Sequence, residues 1–199
     1  MDWPTAIPGH SLPMTKRKNV SAPDETAIQP PPPSQPLVRL QVEPLTVAAF
    51  APFGDVIESE GRAPMVINGG KTLRYDDLAG VDVDTQGGRA LISFFDTQPY
   101  ALPLGIRAME RHPLGSQAFV PLDEAAFLVV VAPAGDPLDE SAIRVFVTNG
   151  RQGVNYKRGV WHHSLIVTQG MARFLVVDRG GAGHNCDVTD LRGNYQVAG

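Results

Sequence analysis

Cysteine occurs once in the 199 residues, at Cys186. A single thiol excludes an internal disulfide framework and points to a reducing compartment. Long apolar runs are also missing. None approaches the roughly 20 residues needed to cross a bilayer, and the opening Met-Asp-Trp-Pro-Thr lacks the basic and apolar stretches of a secretory signal. A cytoplasmic protein is therefore expected. Excess positive charge is absent too: 17 Lys and Arg stand against 21 Asp and Glu, a net charge of −4. A nucleic-acid binder would carry a concentrated basic face, so that class is set aside. Sustained helical periodicity and internal repeats are not found either, which leaves short extended segments as the main structural signal.

Proline is unevenly distributed. Residues 1–36 hold nine of the 18 prolines, including the run Pro30 to Pro33. They show almost no apolar periodicity, so a disordered or polyproline II extension is expected over 1–36, with a docking arm as the functional alternative. The basic patch Lys16-Arg-Lys18 reads as a solvated feature of that extension. Residues 37–199 form the predicted domain. Hydrophobic residues make up 43% of the chain, enough for one sizeable core.

From Leu37 onward short strand-like runs alternate with Gly, Pro and Asn punctuation. Thr46 is placed to cap a short helical turn. Strands are expected at Gly54–Glu58, Met65–Asn68, Arg89–Asp96, Gly105–His112, Gln117–Leu122, Ala126–Ala132 and within Ser141–Thr148. A hairpin is expected from Ser164–Thr168 and Met171–Asp178 through Gln169-Gly170. About ten short strands of this kind predict an all-β sandwich or barrel with a few short helical turns.

Two clusters carry chemistry. Glu110 and His112, two apart on an extended segment, share a face. Pro113-Leu114-Gly115 turns the chain, and Gln117 opens the returning strand. His162 and His163 are adjacent, so only one can face the interior, and His162 is the one expected there. The alternative is a pair of surface residues at a hairpin end and a satisfied structural histidine. The positions echo a degraded cupin signature: Glu110, His112 and Gln117 stand where the first motif has His, His and Glu, and Gly159 and His162 match part of the second, whose proline is missing. One carboxylate, one amide and two imidazoles suit a borderline divalent metal such as nickel, zinc or iron.

Longer strings are more specific. Glu110-Arg-His-Pro-Leu-Gly-Ser-Gln-Ala-Phe-Val-Pro121, Thr148-Asn-Gly-Arg-Gln-Gly-Val-Asn-Tyr156, Gly159-Val-Trp-His-His163, and Val177-Asp-Arg-Gly-Gly181 followed by Asn185-Cys-Asp187 together resemble the ureidoglycolate lyase family. So do Gly54-Asp-Val-Ile57 and Arg74-Tyr-Asp-Asp-Leu78. The resemblance runs from about Leu37 to Leu191.

The resemblance implies a cupin-like β-barrel, a homodimer, and cleavage of (S)-ureidoglycolate to glyoxylate and urea in allantoin breakdown. It also implies a divalent metal, nickel first, and no organic cofactor. Such cleavage needs a base for the hydroxyl proton, a donor for the departing nitrogen and a grip on the carboxylate. His162 is the preferred base, with His112 and Glu110 as its catalytic partners. His112, Gln117 and His162 are the candidate metal ligands, and Gln117 also lines the floor for substrate. Arg74 is the expected carboxylate clamp, since guanidinium pairs bidentately with it. Asn68 binds urea or carboxylate, or simply makes its turn. Lys157 and Tyr156 are reserve polar contacts, Asp178 and Arg179 are read as an internal ion pair at the barrel mouth with direct catalysis as the alternative, and Cys186 as an idle thiol. Competing readings are another cupin enzyme acting on a small acid as a metal-dependent oxygenase or isomerase, a non-catalytic binding module, and hydrolysis that releases ammonia instead of urea.

Overall fold

The computed structural model describes residues 35–198, so the extension expected over 1–36 lies almost wholly outside the described residues. Fifteen strands make up about 47% of the described residues. In chain order they are β1 (Leu37–Leu40), β2 (Val42–Pro44), β3 (Gly54–Ile57), β4 (Met65–Ile67), β5 (Thr72–Arg74), β6 (Arg89–Thr97), β7 (Leu104–Arg111) and β8 (Gln117–Pro121). There follow β9 (Phe127–Ala132), β10 (Arg144–Val147), β11 (Gly153–Tyr156), β12 (Trp161–His162), β13 (Ile166–Val167), β14 (Ala172–Gly180) and β15 (Asp187–Val197). The one α-helical turn among the described residues, α1 (Val47–Phe50), is capped by Thr46, whose side chain accepts from the Ala49 N–H. The all-β expectation holds.

The larger sheet runs β1-β15-β7-β12-β9-β10-β2, with β13 also on β9. The smaller runs β3-β11-β8-β14-β6, and β4 pairs with β5 alone. The sheet curls into a half-barrel of cupin-like form. Every residue of β9 is buried. Its alternation sends Phe127, Val129 and Val131 into one core with Phe119, Val154, Phe174 and Val176 of the smaller sheet. Leu128, Val130 and Ala132 enter a second core with Ile106, Met109 and Trp161. A strand buried on both sides reads as a continuous apolar run, as Phe-Leu-Val-Val-Val-Ala does.

Two expected hairpins are not formed. β13 pairs with β9 in the larger sheet, whereas β14 pairs with β6 and β8 in the smaller one, so Gln169-Gly170 carries the chain between sheets. Likewise β7 pairs with β12 and β15, and β8 with β11 and β14. The turn after His112 is a corner from one sheet to the other. Alternation specifies which side of a strand is buried, not which strand lies beside it. The strands β5, β11, β12 and β15 go beyond those expected; β15 is interrupted by a register shift between Asp190 and Tyr195, which breaks the period that would have revealed it.

β3 has a close constraint. A Cβ on Gly54 would meet the Asn155 carbonyl oxygen at 1.9 Å, a backbone atom that cannot swing away. Gly54→Ala is expected to cost on the order of 3 kcal/mol by overpacking, read as a lower guanidinium midpoint. Gly80→Ala, where a Cβ meets nothing within 4 Å, should stay within about 0.5 kcal/mol of wild type.

Candidate active site

Glu110, one residue before the end of β7, lies directly opposite His162 of β12, and Gln117 begins β8 directly opposite Tyr156 of β11. The corner 112–116 joins the two pairs, and the Tyr156 ring stacks on His162 at 4.3 Å between centroids and 19° between planes. His162 is only 1% exposed. It is thus the histidine that turns inward, while Nδ1 of His163 lies 3.0 Å from the Ser164 carbonyl.

Both interior histidines are oriented in the same way. His162 Nδ1 lies 3.0 Å from the Val160 carbonyl oxygen and His112 Nδ1 lies 2.6 Å from that of Asn185. A carbonyl only accepts, so each Nδ1 carries a proton, and in a neutral ring the lone pair then lies on Nε2. His162 Nε2 is buried without a hydrogen-bond partner and stands 3.6 Å from Glu110 Oε1. His112 Nε2 stands 3.1 Å from Gln117 Oε1.

Burial, and next to it repulsion from His112, lowers the His162 pKa from its ordinary 6.5 to about 3. The ring is therefore neutral at physiological pH. Burial and the Glu110 charge raise the Tyr156 pKa, keeping a neutral phenol beneath it. Cys186 Sγ reaches Glu110 Oε2 at 3.9 Å, and burial, then that carboxylate, raises its pKa. This supports an idle thiol.

The donor set fits a divalent metal. Ligand atoms of Glu110, His112 and His162 lie within 4.8 Å of one another. Bonds near 2.1 Å place ligands roughly 3–4 Å apart, so closure requires at most about 1–2 Å. Coordination would also satisfy the otherwise orphaned His162 Nε2, and the two Nδ1–H···O=C bonds are the outer contacts that orient ligating imidazoles. Gln117 is placed to add a fourth donor.

The rim next to Glu110 is rigid. Arg111 donates to Asp187, Gly135 O and Asp136 and lies 4.6 Å over the Trp161 ring, which itself donates to Gly135 O. Asn68 and Arg74 are not brought to this cluster. They lie on and beside the separate β4–β5 hairpin, where Asn68 donates to Thr72 Oγ1 and Arg74 pairs with Asp76. Lys157 donates to Ala51 O. The expected Asp178–Arg179 ion pair is not present: Arg179 donates to Thr85 O and Ala182 O. Consecutive strand residues point to opposite faces, so these two cannot meet.

Fold and site together define an all-β, cupin-like protein with a carboxylate and two imidazoles inside a curled sheet. The sequence model of the ureidoglycolate lyase family matches residues 37–198, and the chain belongs to that family. A protein named ureidoglycolate lyase from Burkholderia mallei (strain NCTC 10229) is 58% identical over 152 residues, 76% of this chain and 89% of that protein. Its namesake from Azotobacter vinelandii is 56% identical over 148 residues, covering 74% and 89%. The one from Pseudomonas aeruginosa (strain LESB58) is 55% identical over 148 residues, covering 74% and 88%. No helix among the described residues is long and apolar enough to cross a membrane.

The lowered His162 pKa has a consequence for stability. As pH falls below 6.5 the unfolded chain protonates this residue while the folded one does not until about 3. Stability is lost across that window as pH falls, by about 1.4 kcal/mol per pH unit from this group. In metal-free protein, His162→Gln is expected to flatten the dependence of guanidinium unfolding on pH by that amount.

Proposed function

We propose that this chain is a ureidoglycolate lyase, cleaving (S)-ureidoglycolate to glyoxylate and urea in allantoin breakdown. The observation that carries the reading is the Nε2 of His162, buried and unpartnered, with its tautomer held by Val160 and with Glu110 and His112 beside it.

Lyase chemistry on this carbinolamide consumes no water. The hydroxyl O–H bond breaks, its electrons form the new C=O, the C–N pair leaves with nitrogen, and that nitrogen gains a proton. One proton leaves oxygen and one arrives at nitrogen, so a single carboxyl group can serve both ends. Glu110, whose side chain is 33% exposed, stands 3.6 Å from His162 Nε2 and is open to solvent as well. We assign it the proton transfer. His162 is a poor base because burial has removed its proton affinity; its neutral Nε2 suits it to metal binding or to accepting the substrate hydroxyl. A divalent metal, nickel first by family resemblance, would be held by His112, His162 and Glu110 with Gln117, and would supply Lewis-acid polarisation of a substrate oxygen.

The protein is further proposed to act as a homodimer. β6 is an edge strand of the smaller sheet and bears Ile92 and Phe94 at 75% and 65% exposure, an apolar strip suited to a second copy. The clamp role of Arg74, and that of Asn68, belong to such an assembly, in which the exposed hairpin is free to reach a partner.

The full chain should convert racemic ureidoglycolate to glyoxylate and urea in equal amounts without ammonia, assayed with and without chelator. Glu110→Gln should lower kcat by about 10²- to 10⁴-fold. Ammonia in place of urea would establish hydrolysis, and absence of product would leave a binding module.

A further inference from the structure

Three buried side-chain atoms among the described residues lack a hydrogen-bond partner: Asn155 Oδ1, His162 Nε2 and Asp178 Oδ1. Asn155 alternates with the core residues Val154 and Tyr156 and so points away from the interior, where it donates to Asp55 and Gly80 O. Asp178 is different. It follows Phe174 and Val176 on the same side of β14, and both are core residues between the sheets. Directly opposite it on β6 is Leu91. On the other side the β14–β8 ladder ends at Val177 opposite Ala118, so one further step sets Asp178 beside Gln117. The inner face of the smaller sheet thus carries Tyr156, Gln117, Asp178 and Leu91 side by side, and Tyr156 stacks on His162.

Among the described residues no cation pairs with this carboxyl group. Arg179, the neighbour in sequence, leaves by the opposite face for two loop carbonyls. Asp178 as a whole is half-buried although its row faces inward, so part of its side chain stays accessible. A carboxylate offers acceptors only, and an unpaired buried one is costly. It therefore selects a ligand group rich in N–H donors, and it repels a ligand carboxylate. Ureidoglycolate has one end of each kind.

We propose that Asp178 is a substrate-binding residue that accepts from the terminal NH2 of the ureido group. It orients the substrate with that end toward β14 and the carboxylate away from it. The assignment rests on the lyase reading, and it goes beyond it by fixing which way round the substrate lies.

The test uses full-length wild type, Asp178→Ala and the near-isosteric Asp178→Asn, with initial rates on ureidoglycolate and with urea and glyoxylate as product inhibitors. Expected is a KM raised roughly tenfold to hundredfold in Asp178→Ala, the loss of a hydrogen bond to a charged group, and a smaller rise, about threefold to tenfold, in Asp178→Asn, which keeps a neutral acceptor. Inhibition by urea should weaken in parallel while inhibition by glyoxylate is unchanged. A merely structural role would weaken both inhibitors together, and that result overturns the assignment. Wild-type KM and wild-type urea inhibition in Asp178→Asn overturn it as well, while leaving the lyase reading standing. A wild type that releases no glyoxylate removes the lyase reading and this assignment with it. If the alanine variant does not fold, the asparagine variant, which keeps the side-chain shape, decides.

Discussion

The stack of Tyr156 on His162 is the contact on which the rest of the site depends. It brings a polar ring of the larger sheet against an aromatic ring of the smaller one, inside a core otherwise built from Phe, Val and Leu. A buried polar group must find partners or incur a large desolvation cost. For His162 that demand is half met: Val160 takes the Nδ1 proton and Nε2 is left with none. The unmet half is where reactivity is concentrated. Burial makes the imidazole neutral, the carbonyl fixes its tautomer, and the stack fixes its plane, so a lone pair is held in place before any ligand arrives.

The architecture around the stack makes this arrangement affordable. β9 is packed on both sides and anchors β12, β10 and β13, so the strand that carries His162 sits against the best-buried part of the molecule. Arg111, Trp161 and Gly135 tie the end of β7 to a neighbouring loop, which limits movement of Glu110. On the other sheet Gly54 admits the Asn155 carbonyl at a distance no side chain would allow, which keeps β11, and with it Tyr156, in register. Scaffold and reactive groups are therefore separate: apolar strands supply stiffness, and a single level of polar residues supplies chemistry.

Much of this level was legible in the chain. The spacing of Glu110, His112 and Gln117, and the adjacency of His162 and His163, were enough to group four residues and to choose between two histidines, because alternation is a local property of extended backbone. Asp178 could have been found by the same rule, as the next inward position after Phe174 and Val176. It was obscured by the adjacent Arg179, an apparent ion-pair partner that alternation in fact forbids. Arg74 and Asn68 were chosen for chemistry rather than position, and their hairpin keeps them with Asp76 and Thr72.

What the amino-acid sequence determined by itself is the all-β class, the inward and outward sides of most strands, the residue types available to the site, and, through its longer strings, the family. What only the tertiary structure decided is partnership. The turns after His112 and after Val167 look like hairpin turns, yet both carry the chain from one sheet to the other. The physical reason is that side-chain periodicity records burial, which each strand satisfies separately, whereas pairing is set by the total packing of two cores against each other. That choice placed Tyr156 over His162 and left one nitrogen and one carboxylate oxygen without partners.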